Sequence, residues 1–212
     1  MSADAKKNLA VLVSGGGTNL QAIIDGTESG RINGRVVLVV SSNADAYALV
    51  RAESRGIPTA VCALKDFVTR EKRDEKITEL LIRANADYVI LAGYLGILTA
   101  APLSAFGGRI VNIHPALLPK YGGKNCFGLN VHRQVLAAGE AFTGATVHFV
   151  DSGVDTGLII ASESIEVLPS DTPESLQKRL LENVENRLIA SVTADLCDGK
   201  ISVKDGKVVY KK

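Results

Sequence analysis

The sequence predicts an α/β protein of Rossmann-like architecture: a mostly parallel twisted sheet with helices on both faces, extended by an antiparallel addition towards the C-terminus. Three observations predict it. Short apolar runs without alternation recur through the first half of the chain, as in strands buried on both faces. Segments with apolar residues at three- and four-residue spacing fill the intervals, and a glycine-rich turn joins the first run to the first such segment.

Each element follows from its residues. The apolar runs at 9–13, 36–40, 59–63, 88–92 and 109–113 are the predicted parallel strands. Residues 19–28, 45–55 and 69–84 are the predicted helices between them, with Gly56-Ile57-Pro58 closing the second. The runs at 145–150 and 158–167, separated by a glycine-containing loop, form the partly antiparallel addition. A last helix begins after Asp171-Thr172-Pro173-Glu174, where Asp171 or Thr172 can cap and Pro173 suits the first turn, and it continues towards Cys197. The tail at 200–210 reads as a hairpin turning at Asp205-Gly206.

A chain of 212 residues, 46% of them hydrophobic, can bury one substantial core, and a single domain is expected over 1–212. The 24 basic and 23 acidic residues leave a net charge of +1, so no overall field draws in nucleic acid or an anionic bilayer, and small-molecule partners are expected. Cys62, Cys126 and Cys197 are odd in number and widely spaced, which suggests neither a disulfide framework nor a metal site. The first seven residues are polar, and no stretch approaches the ~20 apolar residues of a spanning helix, so a cytoplasmic protein is expected.

Ser14-Gly15-Gly16-Gly17-Thr18-Asn19-Leu20 joins the first strand to the first helix, where free backbone N–H groups and the helix dipole favour an anion. The dinucleotide fingerprint is absent, because its third glycine would fall at Leu20. A phosphate pocket and a plain tight turn that needs glycine are both open readings.

Asn112-Ile113-His114-Pro115 and, 41 residues beyond His114, Asp155 supply an amide, an imidazole and a carboxylate. These groups suffice to steady an oxyanion and carry one proton in acyl transfer. Asn112 and His114 stand two apart in an extended run and so project from one face. Both motifs follow apolar runs and are expected at the carboxyl ends of adjacent strands. A carboxylate beside His114 favours the imidazolium and raises its pKa above the ordinary ~6.5. Asp151 is an equal candidate for the lesser duty of satisfying turn amides. His132 and His148 read as packed or solvated histidines.

The glycine-rich turn, Ala92-Gly93-Tyr94-Leu95-Gly96-Ile97-Leu98, Asn112 through Tyr121 and His148 through Gly157 together resemble the phosphoribosylglycinamide formyltransferase family, over about 9–188. That family moves a formyl group from 10-formyltetrahydrofolate to the amine of 5-phosphoribosylglycinamide in de novo purine synthesis. The resemblance implies a catalytic trio of Asn112, His114 and Asp155, with Asn112 and protonated His114 stabilising the tetrahedral adduct. It implies that Gly17, Thr18 and Asn19 hold the ribose phosphate and that Glu185, after a one-residue shift, matches a substrate-binding glutamate. Arg70 would meet the folate's glutamate tail. Leu95, Gly96, Ile97 and Leu98, with Asn112 and the loop Asp151, Ser152, Gly153, Val154 and Asp155, would bind the rest of the cosubstrate, largely through backbone groups. No metal is implied, and the protein would be a monomer or homodimer acting on small molecules, with no nucleic acid or membrane. A phosphate-binding part at about 8–105 and a catalytic, folate-binding part at about 106–212 are expected.

The chain departs from the family's pattern in places. Gly96 stands where many relatives carry arginine, and Asn186 where histidine is usual. The loop at 120–130 is longer and has three glycines, as a lid or a plain surface loop would. Formyltetrahydrofolate deformylases and methionyl-tRNA formyltransferases share the trio but add an N-terminal or C-terminal domain, for which no length is expected here. A folate-binding module without turnover is the reading from outside enzymology.

Overall fold

In the computed structural model, which describes residues 6–211, the apolar runs pair as the sequence predicts. The strands are β1 (Lys7–Val13), β2 (Gly34–Ser41), β3 (Thr59–Val61), β4 (Tyr88–Leu91), β5 (Ile110–His114), β6 (Phe142–Phe149) and β7 (Ile159–Glu166). They form one sheet in the order β3-β2-β1-β4-β5-β6-β7. Pairings from β3 to β5 are parallel, and β6 and β7 add antiparallel. A separate hairpin, β8 (Ile201–Lys204) and β9 (Lys207–Tyr210), turns at Asp205 and Gly206, both at positive φ as a two-residue turn of this hand requires.

Alternation along β1 shows why the run is apolar throughout. Leu9, Val11 and Val13 face one core with Leu20 and Ile23 of α1 (Thr18–Glu28) and with Ile189 and Val192 of the last helix. Ala10 and Leu12 face the other, with Ile77 and Leu81. Residues 9–13 are wholly buried, and each large side chain hidden in this way contributes roughly 1.5–3 kcal/mol. The remaining helices are α2 (Tyr47–Glu53), α3 (Arg70–Arg83), α4 (Ala100–Ala105), α5 (Leu129–Ala137), α6 (Pro173–Leu180) and α7 (Asn186–Cys197). The β4–β5 pairing spans residue 105, so one sheet runs through both expected parts.

Two departures are instructive. Helix α4 has six residues with Pro102 among them, too short to show periodicity; Pro102 fits because first-turn N–H groups have no intrahelical partner. The long C-terminal helix starts as expected, with Thr172 accepting from the Ser175 amide and Pro173 in the first turn, but a π-helical turn at Leu181–Glu185 interrupts it. Among the described residues no helix is long and apolar enough to cross a membrane.

Candidate active site

Strand order changes direction between β1 and β4, and the turns leaving those strands open a crevice at their carboxyl ends. Ser14 Oγ accepts from the Leu95 amide at 2.8 Å and meets Ser42 Oγ at 2.6 Å, tying the turns after β1, β2 and β4 together. Leu91 pairs with Asn112, so the segment leaving β4 starts beside the strand that carries Asn112 and His114.

The structure brings the three sequence-predicted groups together. His114 ends β5, and its Nδ1 lies 3.5 Å from Asp155 Oδ2. The expectation that both motifs sit at carboxyl ends of adjacent strands needs correcting. Because β6 is antiparallel, its end at Phe149 lies opposite Val111, near the start of β5, and the following loop folds back to deliver Asp155. Gly157 permits that fold: a Cβ there would lie 1.8 Å from the Phe149 carbonyl oxygen. Asp151 Oδ1 accepts from the Gly153 amide at 3.0 Å and the Thr156 hydroxyl at 2.7 Å, so Asp151 braces the loop. Asp155, at φ +58°, turns inwards.

His148 belongs to the cluster, which its sequence context did not reveal. Its Nε2 lies 3.6 Å from Asp155 Oδ1 and 3.1 Å from Asn112 Nδ2, and its Nδ1 donates to its neighbour's carbonyl, Phe149, at 2.8 Å. Nε2 thus sits between the Asn112 side chain and Asp155, and the contact fixes the Asn112 orientation. The register that sets Asn112 opposite His148 across β5 and β6 creates the contact.

Residues of the 120–130 loop close over the pair. His114 Nε2 donates to the Tyr121 carbonyl at 2.8 Å, and the Gly123 amide donates to Asp155 Oδ2 at 2.9 Å. The Tyr121 hydroxyl and Lys120 both bind Glu140, anchoring the segment to the chain beyond α5. His114 is left only 4% exposed, and this burial decides its charge. Burial lowers the His114 pKa below the ordinary value, outweighing the upward pull of Asp155 and the Tyr121 carbonyl. The expected rise is therefore corrected: Asp155 acts with the expected sign, yet the resting imidazole is the weaker base. Burial also pushes Asp155 up, but His148, His114 and the Gly123 amide together hold its carboxyl below its usual range.

At the glycine-rich turn, Gly17 has φ +73° and a Cβ would lie 2.6 Å from that of Ala48, so glycine is needed there sterically. The Gly15 carbonyl accepts from the Ala48 amide and the Gly16 carbonyl from Arg51 Nε, so α2 holds the turn from behind. Among the described residues no side chain caps α1, which leaves first-turn N–H groups near Thr18 and Asn19 without a capping partner. Asn19 is buried and its Nδ2 donates to Glu185 Oε2 at 3.0 Å, 166 residues away. The π turn ends at Glu185, and such turns often mark functional sites. Burial raises the Glu185 pKa against the lowering effect of Asn19.

The remaining predicted residues lie on the surrounding surface. Arg70 opens α3 in solvent. Leu95, Ile97 and Val154 are exposed apolar side chains, 63%, 47% and 38% accessible, on the loops after β4 and β6 that flank β5, as an apolar-faced heterocycle would need. Leu98 differs: its side chain is buried in the core. Ser152 and Gly153 are exposed, and Gly96 is half-buried.

A buried imidazole with a half-buried carboxylate and amide at the mouth of an open α/β sheet suits acyl-group transfer, and residues 7–193 match the formyl transferase family. The phosphoribosylglycinamide formyltransferase of Haemophilus influenzae is 41% identical over 199 residues, 94% of this chain and 91% of that protein. The chloroplastic phosphoribosylglycinamide formyltransferase of Arabidopsis thaliana is 40% identical over 207 residues, 96% of this chain and 70% of its own. Glycinamide ribonucleotide transformylase 1 from Symbiobacterium toebii superposes with a TM-score of 0.92 at 38% identity, covering 99% of this chain and 96% of that one. The chain belongs to the phosphoribosylglycinamide formyltransferase family, and it is a folate-dependent transferase.

Proposed function

We propose that the protein transfers the formyl group of 10-formyltetrahydrofolate to the amine of 5-phosphoribosylglycinamide, giving formylglycinamide ribonucleotide and tetrahydrofolate. The observation that carries this reading is the approach of His114 and Asp155 within 3.5 Å, with Asn112 two residues before His114 on the same strand. The amine nitrogen bonds to the formyl carbon, and the carbonyl electron pair moves to oxygen. Asn112 donates to that oxyanion, an interaction worth about 2.7–4 kcal/mol of barrier in comparable sites. Once the Tyr121 carbonyl withdraws, the neutral His114 ring carries its proton on Nδ1, towards Asp155, and Nε2 takes the proton that the amine sheds. The imidazolium so formed stands between oxyanion and Asp155, then yields its proton as the bond to N10 breaks. His148 keeps the Asn112 amide aimed.

Gly17, Thr18 and Asn19 take the phosphate, with Glu185 beside them. The folate lies against Leu95, Gly96 and Ile97 and the loop Asp151, Ser152, Gly153, Val154 and Asp155, the buried Leu98 contributing backbone only, and its tail carboxylates meet Arg70. The 120–130 segment serves as a lid, since Tyr121 and Gly123 occupy groups the reaction must free. Release of deformylated folate, followed by absorbance, tests the reaction. It is expected only when the ribonucleotide is present. Release independent of the amine would make the protein a hydrolase and overturn this reading.

A further inference from the structure

Beneath the segment that leaves β4, α3 buries an arginine next to an aspartate. The Arg73 and Asp74 side chains are 4% and 0% exposed. Neighbouring helical residues point about 100° apart, so they pair only if something draws both the same way. Arg73 Nε donates to Asp74 Oδ1 at 2.7 Å, and Nη2 donates to the Ile97 carbonyl at 3.0 Å. Asp74 Oδ2 accepts from the Thr99 amide at 2.6 Å. The Arg73 guanidinium also sits 5.9 Å from the centroid of the buried Tyr94 ring. That ring lies against Gly96, where a Cβ would come within 2.6 Å of it.

One ion pair therefore holds the stretch 94–99 at its start, middle and end. Taking two charges out of water is costly and is compensated only when their hydrogen bonds are well made; here those bonds go to backbone of a single loop. We infer that Arg73 and Asp74 are positioning residues that fix the backbone of 94–99 for folate, while the Tyr94 ring fills the space beside Gly96. The inference rests on the proposed folate site and assigns its geometry to a pair that no ligand would touch.

Two readouts test it. In ligand-free protein, hydrogen exchange across 94–99 should quicken in Asp74→Asn while the β1 amides stay protected. In steady-state assays, Arg73→Met and Asp74→Asn should raise the KM for 10-formyltetrahydrofolate about tenfold or more, as expected for a lost bond to a charged group, and leave the ribonucleotide KM within about twofold. Arg73→Lys should recover part of the loss. Should either single variant fail to fold, the double variant Arg73→Met/Asp74→Asn, which leaves no lone buried charge, carries the same expectations. Unchanged exchange with both KM values unmoved, or the two KM values rising together, would overturn the inference. Wild-type protein that bound no folate would sink the functional reading instead, a separate failure because the exchange comparison needs no ligand.

Discussion

Among single residues, Asp151 and Asp155 differ in what they bind, and the proposed mechanism gives only Asp155 a part in the chemistry. Asp151 spends its acceptors on its own loop, whereas Asp155 faces two imidazoles. Asp155→Asn keeps the shape and removes the charge. It should lower turnover by about 100-fold or more while ribonucleotide affinity stays within a few fold, as measured by steady-state kinetics and calorimetry. Turnover left intact would remove Asp155 from the chemistry. That His114 and Asp155 would come together was legible from their side-chain types, whereas the route that brings Asp155 in, by a loop folding back from an antiparallel strand, was not. Nor was His148: its part depends on the antiparallel register of β5 and β6, and a histidine inside a strand carries no mark of what lies across from it. The charge of His114 was misjudged for a related reason, since the covering carbonyl and the depth of burial come from a loop whose path the sequence does not state.

At the scale of elements, the π turn and the glycine-rich turn meet through Asn19 and Glu185. Among the described residues Asn19 Oδ1 is buried without a partner, so the pair is only partly satisfied, and Glu185 holds the Asn19 amide nitrogen. Glu185→Ala should destabilise the fold by about 1–3 kcal/mol, by stranding a buried amide, whereas Glu185→Gln should cost less because an acceptor oxygen remains. Urea unfolding distinguishes them, and equal losses would mean that the Asn19 contact is not the cause. The parallel strands were readable because burial on both faces forces continuous apolar runs. Helix α4 and the π turn escaped notice, since six residues show no period and one inserted residue leaves an apolar stripe nearly intact.

For the whole molecule, buried titratable groups set how stability responds to acid. Among the described residues neither ring nitrogen of the buried His132 has a partner, and burial, with a smaller contribution from His114, pushes its pKa down to about 4. The pKa of His114 is lowered as well. A histidine with a depressed folded pKa contributes its full share above the unfolded value of ~6.5 and loses it as pH falls towards the folded one. Glu185, raised by burial, works in the opposite sense, gaining as it protonates. With two histidines against one carboxyl, Tm should fall between pH 6.5 and 4, and less steeply in His132→Leu. A wild-type Tm that stayed flat or rose over that range would contradict this assignment. The same balance reaches catalysis through the sheet, since β5, β6 and the covering loop jointly decide whether His114 rests as free base. The most direct test is the pH dependence of kcat/KM for formyl transfer in wild type and Asp155→Asn, where titration of the substrates is common to both. An acid limb with its midpoint below ~6.5 is expected in wild type, moved lower still when the carboxylate is lost. A midpoint above that value, or one unmoved by Asp155→Asn, would contradict it.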